Sequence, residues 1–152
     1  MEKINNIFLK KKILIYGLGK SGISTYNFLR QKAKVNLFDD NPKNSFRFDK
    51  KSLSFTKILK CDFDFIIISP GIDFSKCKLS KYLKQNSSKV YTDLDVFYSF
   101  FSNDSVTITG TNGKSTTAKL LYDVLRNQKK DARLVGNIGK PVLSEKKLSL
   151  IH

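Results

Sequence analysis

Short apolar runs, separated by glycine-bearing turns and amphipathic stretches, set the pattern of this chain. Residues 12–16 (KILIY), 34–38 (KVNLF) and 64–69 (DFIIIS) are nearly continuous apolar segments. Runs of this length predict strands buried on both faces of a parallel sheet. Between the first two, Ile23, Tyr26, Asn27, Phe28 and Leu29 carry a helix to about Lys32. After the third, Leu79, Tyr82 and Leu83 recur at helical spacing within residues 77–85, and residues 89–91 form another short strand. Residues 42–60 are irregular and rich in Lys, Ser and Phe, and read as a loop with one short helix. Alternating strands and helices over residues 1–92 predict a small doubly wound α/β domain with right-handed crossovers.

A second unit follows over residues 93–152. Residues 93–101 (DLDVFYSFF) predict a bridging helix capped by Thr92 or Asp93. A strand with Val106 and Ile108 buried then runs into the turn Gly110-Thr111-Asn112-Gly113. A helix starts near Lys114 and Ser115, with Ala118, Leu120, Leu121, Val124 and Leu125 on its apolar face. Residues 131–135 form one more strand, 136–141 (GNIGKP) a glycine turn, and 148–151 the approach to a further strand. Two strands cannot bury both faces of a sheet, so this unit is expected to be incomplete within these residues, with an open edge.

Two turns carry chemistry. In the strand–turn–helix around Gly110, Thr111, Asn112, Gly113, Lys114, Ser115 and Thr116, backbone N–H groups converge, the helix terminus adds partial positive charge, and Lys114 adds a full one. That is a phosphate cradle, with the Ser115 hydroxyl placed as a P-loop places its magnesium ligand. The general P-loop pattern wants a glycine where this chain has Ile108. The other turn, Gly17-Leu18-Gly19-Lys20-Ser21-Gly22, follows the first strand, and the acidic pair Asp39-Asp40 ends the second strand about 20 residues on. This is the dinucleotide-binding spacing, in which the acid holds a ribose hydroxyl. Ser69-Pro70-Gly71 closes the third strand, at the end where open α/β sheets bind ligands.

Composition narrows the classes. The 152 residues carry 28 Lys and Arg against 13 Asp and Glu, a formal charge of +15. The lysines are scattered rather than clustered and no nucleic-acid module is present, so most are solvated faces and no nucleic-acid partner is expected. No segment approaches the roughly 20 apolar residues of a membrane span. The N-terminal MEKINNIFLKKK lacks the apolar core of a secretory signal, which predicts a cytoplasmic location. Cys61 and Cys77, with the single His152, do not make a zinc site and are expected to be reduced.

The segments GLGKSG, LFDD, SPGI, TDLDVF, GTNGKST and GNIGKP, in this order and spacing, resemble the Mur ligase family. The likeness is to the branch that adds D-glutamate to UDP-N-acetylmuramoyl-L-alanine in peptidoglycan synthesis. The short glycine pattern is that family's own form of the ATP loop. The resemblance implies a Rossmann-like domain over residues 1–92 that holds the UDP-substrate through Gly19, Lys20, Ser21, Asp39, Ser69 and Gly71, with Asn137 near the reacting end. It implies the beginning of a P-loop ATP-binding domain over residues 93–152, with Gly110 to Thr116 on ATP, Lys114 on its phosphates and Ser115 on Mg2+. It further implies that the alanyl carboxylate attacks the γ-phosphorus to give an acyl phosphate, from which the amine of D-glutamate displaces phosphate.

Asp40-Asn41 depart from the threonine and basic residue that relatives often carry, which puts one substrate contact in doubt. The downstream acidic metal ligand, histidine, modified lysine and third domain of the family are not among these residues. The chain is therefore expected to be the N-terminal portion of such a ligase, inactive alone. Three other readings compete: a nicotinamide-dinucleotide-binding oxidoreductase fragment, which leaves the second loop unexplained; another P-loop NTPase or kinase; and a non-catalytic UDP-sugar-binding module.

Overall fold

The computed structural model describes residues 6–46, 48, 50–102, 104–136, 139–145 and 149–151. The first sheet contains β1 (Lys12–Tyr16), β2 (Lys34–Phe38), β3 (Phe65–Ile68) and β4 (Val90–Tyr91), all parallel and in the order β2-β1-β3-β4. The helices are α1 (Lys20–Leu29), α2 (Pro42–Phe46), α3 (Phe55–Leu59), α4 (Ser80–Gln85) and α5 (Asp93–Phe100). The irregular stretch 42–60 thus holds two short helices where the sequence suggested one.

Alternation along the buried strands builds a core on each face. Ile13 and Ile15 of β1, Val35 and Leu37 of β2 and Ile67 of β3 face one way, toward Leu29 of α1 and Val96 and Phe97 of α5. Leu14, Tyr16, Phe38 and Ile66 face the other, toward Ile58 of α3 and Leu83 of α4. Both faces are covered, which is why these strands read as nearly continuous apolar runs. α5 starts at a capping box: the Thr92 side chain accepts from the Asp95 N–H, and the Asp95 carboxylate accepts from the Thr92 N–H at 2.7 Å.

The second sheet has β5 (Ser105–Val106), β6 (Ala132–Leu134) and β7 (Ser149–Ile151), parallel and in the order β5-β7-β6, with α6 (Lys114–Asn127) against it. Its core is small. Ala118 and Ala132 are buried, with Ile108, Leu121, Leu125 and Leu134 packed around them. Two expectations are corrected here. Val106 is 46% exposed rather than buried, and Leu120 and Val124 of α6 are 65% and 45% exposed. One helix over three short strands has only one packed layer to offer, so apolar positions outside that layer face water. Val135, Val142 and Leu143 join the first unit's core instead, where residues 142–144 form a 3-10 turn against α1 and α5.

α6 ends in a Schellman motif: the Lys130 N–H donates to Leu125 O and the Lys129 N–H to Arg126 O, each at 2.9 Å. This places Lys129 at φ 58°, a left-handed conformation that favours glycine. Lys129→Gly is expected to raise stability by about 1 kcal/mol, read as a higher urea-unfolding midpoint at unchanged slope.

Candidate functional site

The strand order reverses at β1, so the crevice at the carboxyl ends of β1 and β3 is the ligand position of an open α/β sheet. Around it the three glycines of GLGKSG divide their roles. Gly17 sits at φ 92°, and a Cβ there would lie 2.9 Å from the Ser69 Cβ. A Cβ on Gly22 would lie 1.8 Å from the Gly17 carbonyl oxygen, because α1 packs its backbone directly onto the turn. Both are required by the fold. Gly19, the N-cap of α1, has no atom within 4 Å of where its Cβ would be, and neither has Gly71. Backbone at these two positions is open to a ligand.

The polar groups brace the same turn. Asp39 Oδ2 accepts the Leu18 N–H at 2.6 Å and Oδ1 accepts the Asn41 N–H at 2.8 Å, so this carboxylate ties the β1–α1 turn to the end of β2. Ser69 donates its hydroxyl to Gly17 O at 2.7 Å and its N–H to Tyr16 O at 2.9 Å. Lys20 is exposed on the first turn of α1. Ser21 beside it hydrogen-bonds the Asp93 carboxylate at the start of α5. Gly19, Lys20, Ser21, Asp39, Ser69 and Gly71 therefore gather at the carboxyl ends of β1, β2 and β3. Asn137 lies outside the described residues.

Sequence reasoning missed two groups here. Tyr16, fully buried at the end of β1, donates its hydroxyl to Asp40 Oδ1 at 2.7 Å. Burial, followed by hydrogen bonding to Asp40 and Cys77, pushes that phenol far above its ordinary pKa. Asp40, the residue that departs from the family pattern, is thus turned inward. Asp93 is only 8% exposed, and burial raises its pKa against the lowering effect of the Ser21 hydroxyl and the Leu94 N–H. Neither partnership has a local sequence signal. Cys61 and Cys77 are both free thiols.

The second turn is built differently. Gly113, at φ 76°, is the N-cap of α6 and receives the Thr117 N–H at 2.9 Å. Gly110 has φ 148°. The Lys114 ammonium folds over this loop, donating to the carbonyls of Gly110 and of Thr111, the latter at 3.1 Å. No atom lies within 4 Å of a Cβ built on Gly113. Thr111 and Asn112 complete the loop, and Ser115 and Thr116 occupy the first turn of α6. An exposed, glycine-bounded loop with a lysine at its centre fits a polyphosphate. Among the described residues no group of three or more His, Cys, Asp or Glu can hold a metal ion. A lone hydroxyl such as that of Ser115 fits a magnesium ion carried chiefly by nucleotide phosphates and water. Among the described residues no helix is long and apolar enough to cross a membrane.

A parallel sheet with its switch-point crevice, followed by a lysine-bearing glycine loop on a second sheet, defines an α/β protein with a Rossmann-like first unit. Residues 11–90 match the family described as Mur ligase MurD-like, N-terminal domain, and the chain belongs to that family. It is similar to the UDP-N-acetylmuramoylalanine--D-glutamate ligases of Rickettsia felis and Rickettsia prowazekii. Each is 34% identical over 93% of this chain, and the chain covers 32% and 33% of their lengths. The corresponding ligase of Lachnoclostridium phytofermentans is 32% identical over 88% of the chain and is covered over 32% of its length. The chain spans about a third of the length of these relatives.

The two kinds of glycine are separable by mutation. Gly22→Ala is expected to destabilise the fold by about 3 kcal/mol or more, whereas Gly19→Ala leaves the unfolding midpoint within the experimental error of wild type. A comparison of urea unfolding curves checks both. Asp93 gives a pH signature. Its folded pKa is raised, so its stability contribution is full below the ordinary carboxyl pKa of about 4 and is lost as pH rises through the folded value. Stability measured for wild type minus Asp93→Asn should therefore fall between pH 3.5 and neutrality, in urea titrations at matched pH.

Proposed function

We propose that this chain forms the substrate-binding and ATP-loop part of a ligase that adds D-glutamate to UDP-N-acetylmuramoyl-L-alanine, with ATP and Mg2+, in peptidoglycan synthesis. The observation that carries this reading is the pairing of two glycine turns of different construction. One lies at a switch-point crevice and the other bears Lys114 at a helix start. Membership in the MurD-like family supports assigning the first to the UDP-sugar and the second to ATP. Residues 1–92 then form the UDP-substrate unit, and residues 93–152 begin the ATP unit.

In this reading the open backbone at Gly19 and Gly71 lets the diphosphate approach the first turn, and Lys20 supplies the full positive charge beside it. Ser21 and Ser69 hold the turn in shape through Asp93 and Gly17, and Asp39 holds Leu18 for the uridine end. On the second loop, Lys114 moves its ammonium from two carbonyls to phosphate oxygens. It thereby offsets the repulsion between the substrate carboxylate and the nucleotide. Magnesium supplies further charge neutralisation at the phosphates when bound, and Ser115 is the residue that would hold it. Asn137 is assigned to the muramoyl side of the substrate, near the reacting carboxylate. Dependence on ATP fits a cytoplasmic setting. A nicotinamide-dinucleotide reading is disfavoured because it leaves the lysine loop without a use.

Calorimetric titration of the 152-residue chain with UDP-N-acetylmuramoyl-L-alanine, with NADH as control ligand, tests the assignment. Binding of the UDP-sugar is expected, weakened about tenfold by Lys20→Ala, the scale of one charge-assisted hydrogen bond. Lys114→Ala should leave that binding unchanged and remove binding of ATP. Binding of NADH alone, or of neither ligand, overturns the reading.

A further inference from the structure

The carboxyl end of the first sheet holds a cross-link between three loops. Tyr16 ends β1, and its ring lies 5.3 Å from that of Phe38 in the core. Phenylalanine would fill that space equally well, so packing alone does not account for the hydroxyl. That hydroxyl donates to Asp40 Oδ1, from a residue 24 positions away. Asp40 is also met from the loop after β3. The Lys78 ammonium donates to the Asp40 carbonyl at 2.8 Å, and the Lys78 N–H donates to Asp40 Oδ2 at 3.3 Å. Asp39, one residue earlier, holds the Leu18 N–H of the β1–α1 turn. The turn after β2 is therefore fixed from the end of β1, from the glycine turn and from the loop after β3.

We propose that Tyr16, Asp40 and Lys78 form a staple across these loops, and that Tyr16 and Lys78 are positioning residues which act through Asp40 on the nucleotide end of the substrate site. The place of the staple supports a role in binding rather than in folding alone. It borders a cleft of about 310 Å³ lined by Phe38, Asp39, Asp40, Phe55 and Lys78, which shares Asp39 with the candidate site. Two carboxylate oxygens and a main-chain carbonyl of Asp40 are committed to protein donors. Asp40 thus orients the turn that presents Asp39, in place of a direct side-chain contact to substrate. Removing one donor lets the Asp39–Asn41 turn rotate without emptying any core position. The inference rests on the assignment of the first turn to the UDP-sugar.

The test is a double-mutant cycle on the 152-residue chain, read by calorimetric titration with UDP-N-acetylmuramoyl-L-alanine. Tyr16→Phe is expected to weaken binding about tenfold, the scale of one buried hydrogen bond. The same change in an Asp40→Ala background should add no further loss. Lys78→Met should weaken binding and Lys78→Arg restore it. A purely structural tyrosine would instead lower the unfolding midpoint in both backgrounds and leave the affinity of the folded protein unchanged. Tyr16→Phe binding within twofold of wild type, or equal losses in both backgrounds, overturns the proposal. If wild type does not bind the UDP-sugar, the assignment of the first turn fails, and with it the role in binding. Amide hydrogen exchange then judges the staple by itself. Faster exchange at Leu18 and Lys78 in Tyr16→Phe upholds the cross-link, and unchanged exchange rejects it.

Discussion

The backbone of α1 at Gly22 lies so close to the Gly17 carbonyl that no side-chain atom fits between them, and the ligand-facing end of the first sheet depends on that contact. It sets the angle at which α1 leaves β1, and hence the position of Lys20 and Ser21 on its first turn. Ser69 reinforces it by donating to the same carbonyl, which ties β3 to the turn. Asp39 completes the enclosure from the β2 side. α1, β3 and β2 thus deliver one constraint each to the turn after β1. Apart from Ser21, whose hydroxyl is taken up by Asp93, the groups left outward are main chain and a lysine.

The two units build their glycine turns in contrasting ways. In the first, the turn is braced by Asp39 and Ser69 from the neighbouring strands, and the charge comes from Lys20 at the rim. In the second, the glycines at 110 and 113 leave a loop with little packing, and Lys114 satisfies itself on the loop's own carbonyls. A phosphate at that loop competes with those carbonyls for the ammonium, so part of its interaction energy offsets the bonds it replaces. The overall charge of +15 favours anion approach to both, without selecting among anions.

Strands β1, β2 and β3 were legible in the sequence because burial on both faces keeps their runs nearly apolar, with Asn36 the one polar residue inside β2, and β1 and β2 fall on the anticipated residues. The helix at residues 93–100 was legible from Thr92 and the acidic first turn. Residues 42–60 were not, since α2 and α3 are each five residues long, too short for a period to show. Val106, Leu120 and Val124 misled for another reason. Apolar spacing reports which face seeks cover, and the three-stranded second sheet provides that cover on one side only. At the site, the glycines and Asp39 were found by spacing. Asp40 read only as a departure that puts a substrate contact in doubt, because its partners, Tyr16 and Lys78, lie 24 and 38 residues away and carry no motif.

Val142 and Leu143 are buried in the core of the first sheet although the chain reaches them only after β6 of the second. α5 is packed on that same core just before the chain enters β5. The second unit is consequently moored to the first core at two points of the chain, at its entrance before β5 and again midway, between β6 and β7. A substitution at Val142 or Leu143, late in the chain though they are, is therefore a substitution in the core of the first sheet.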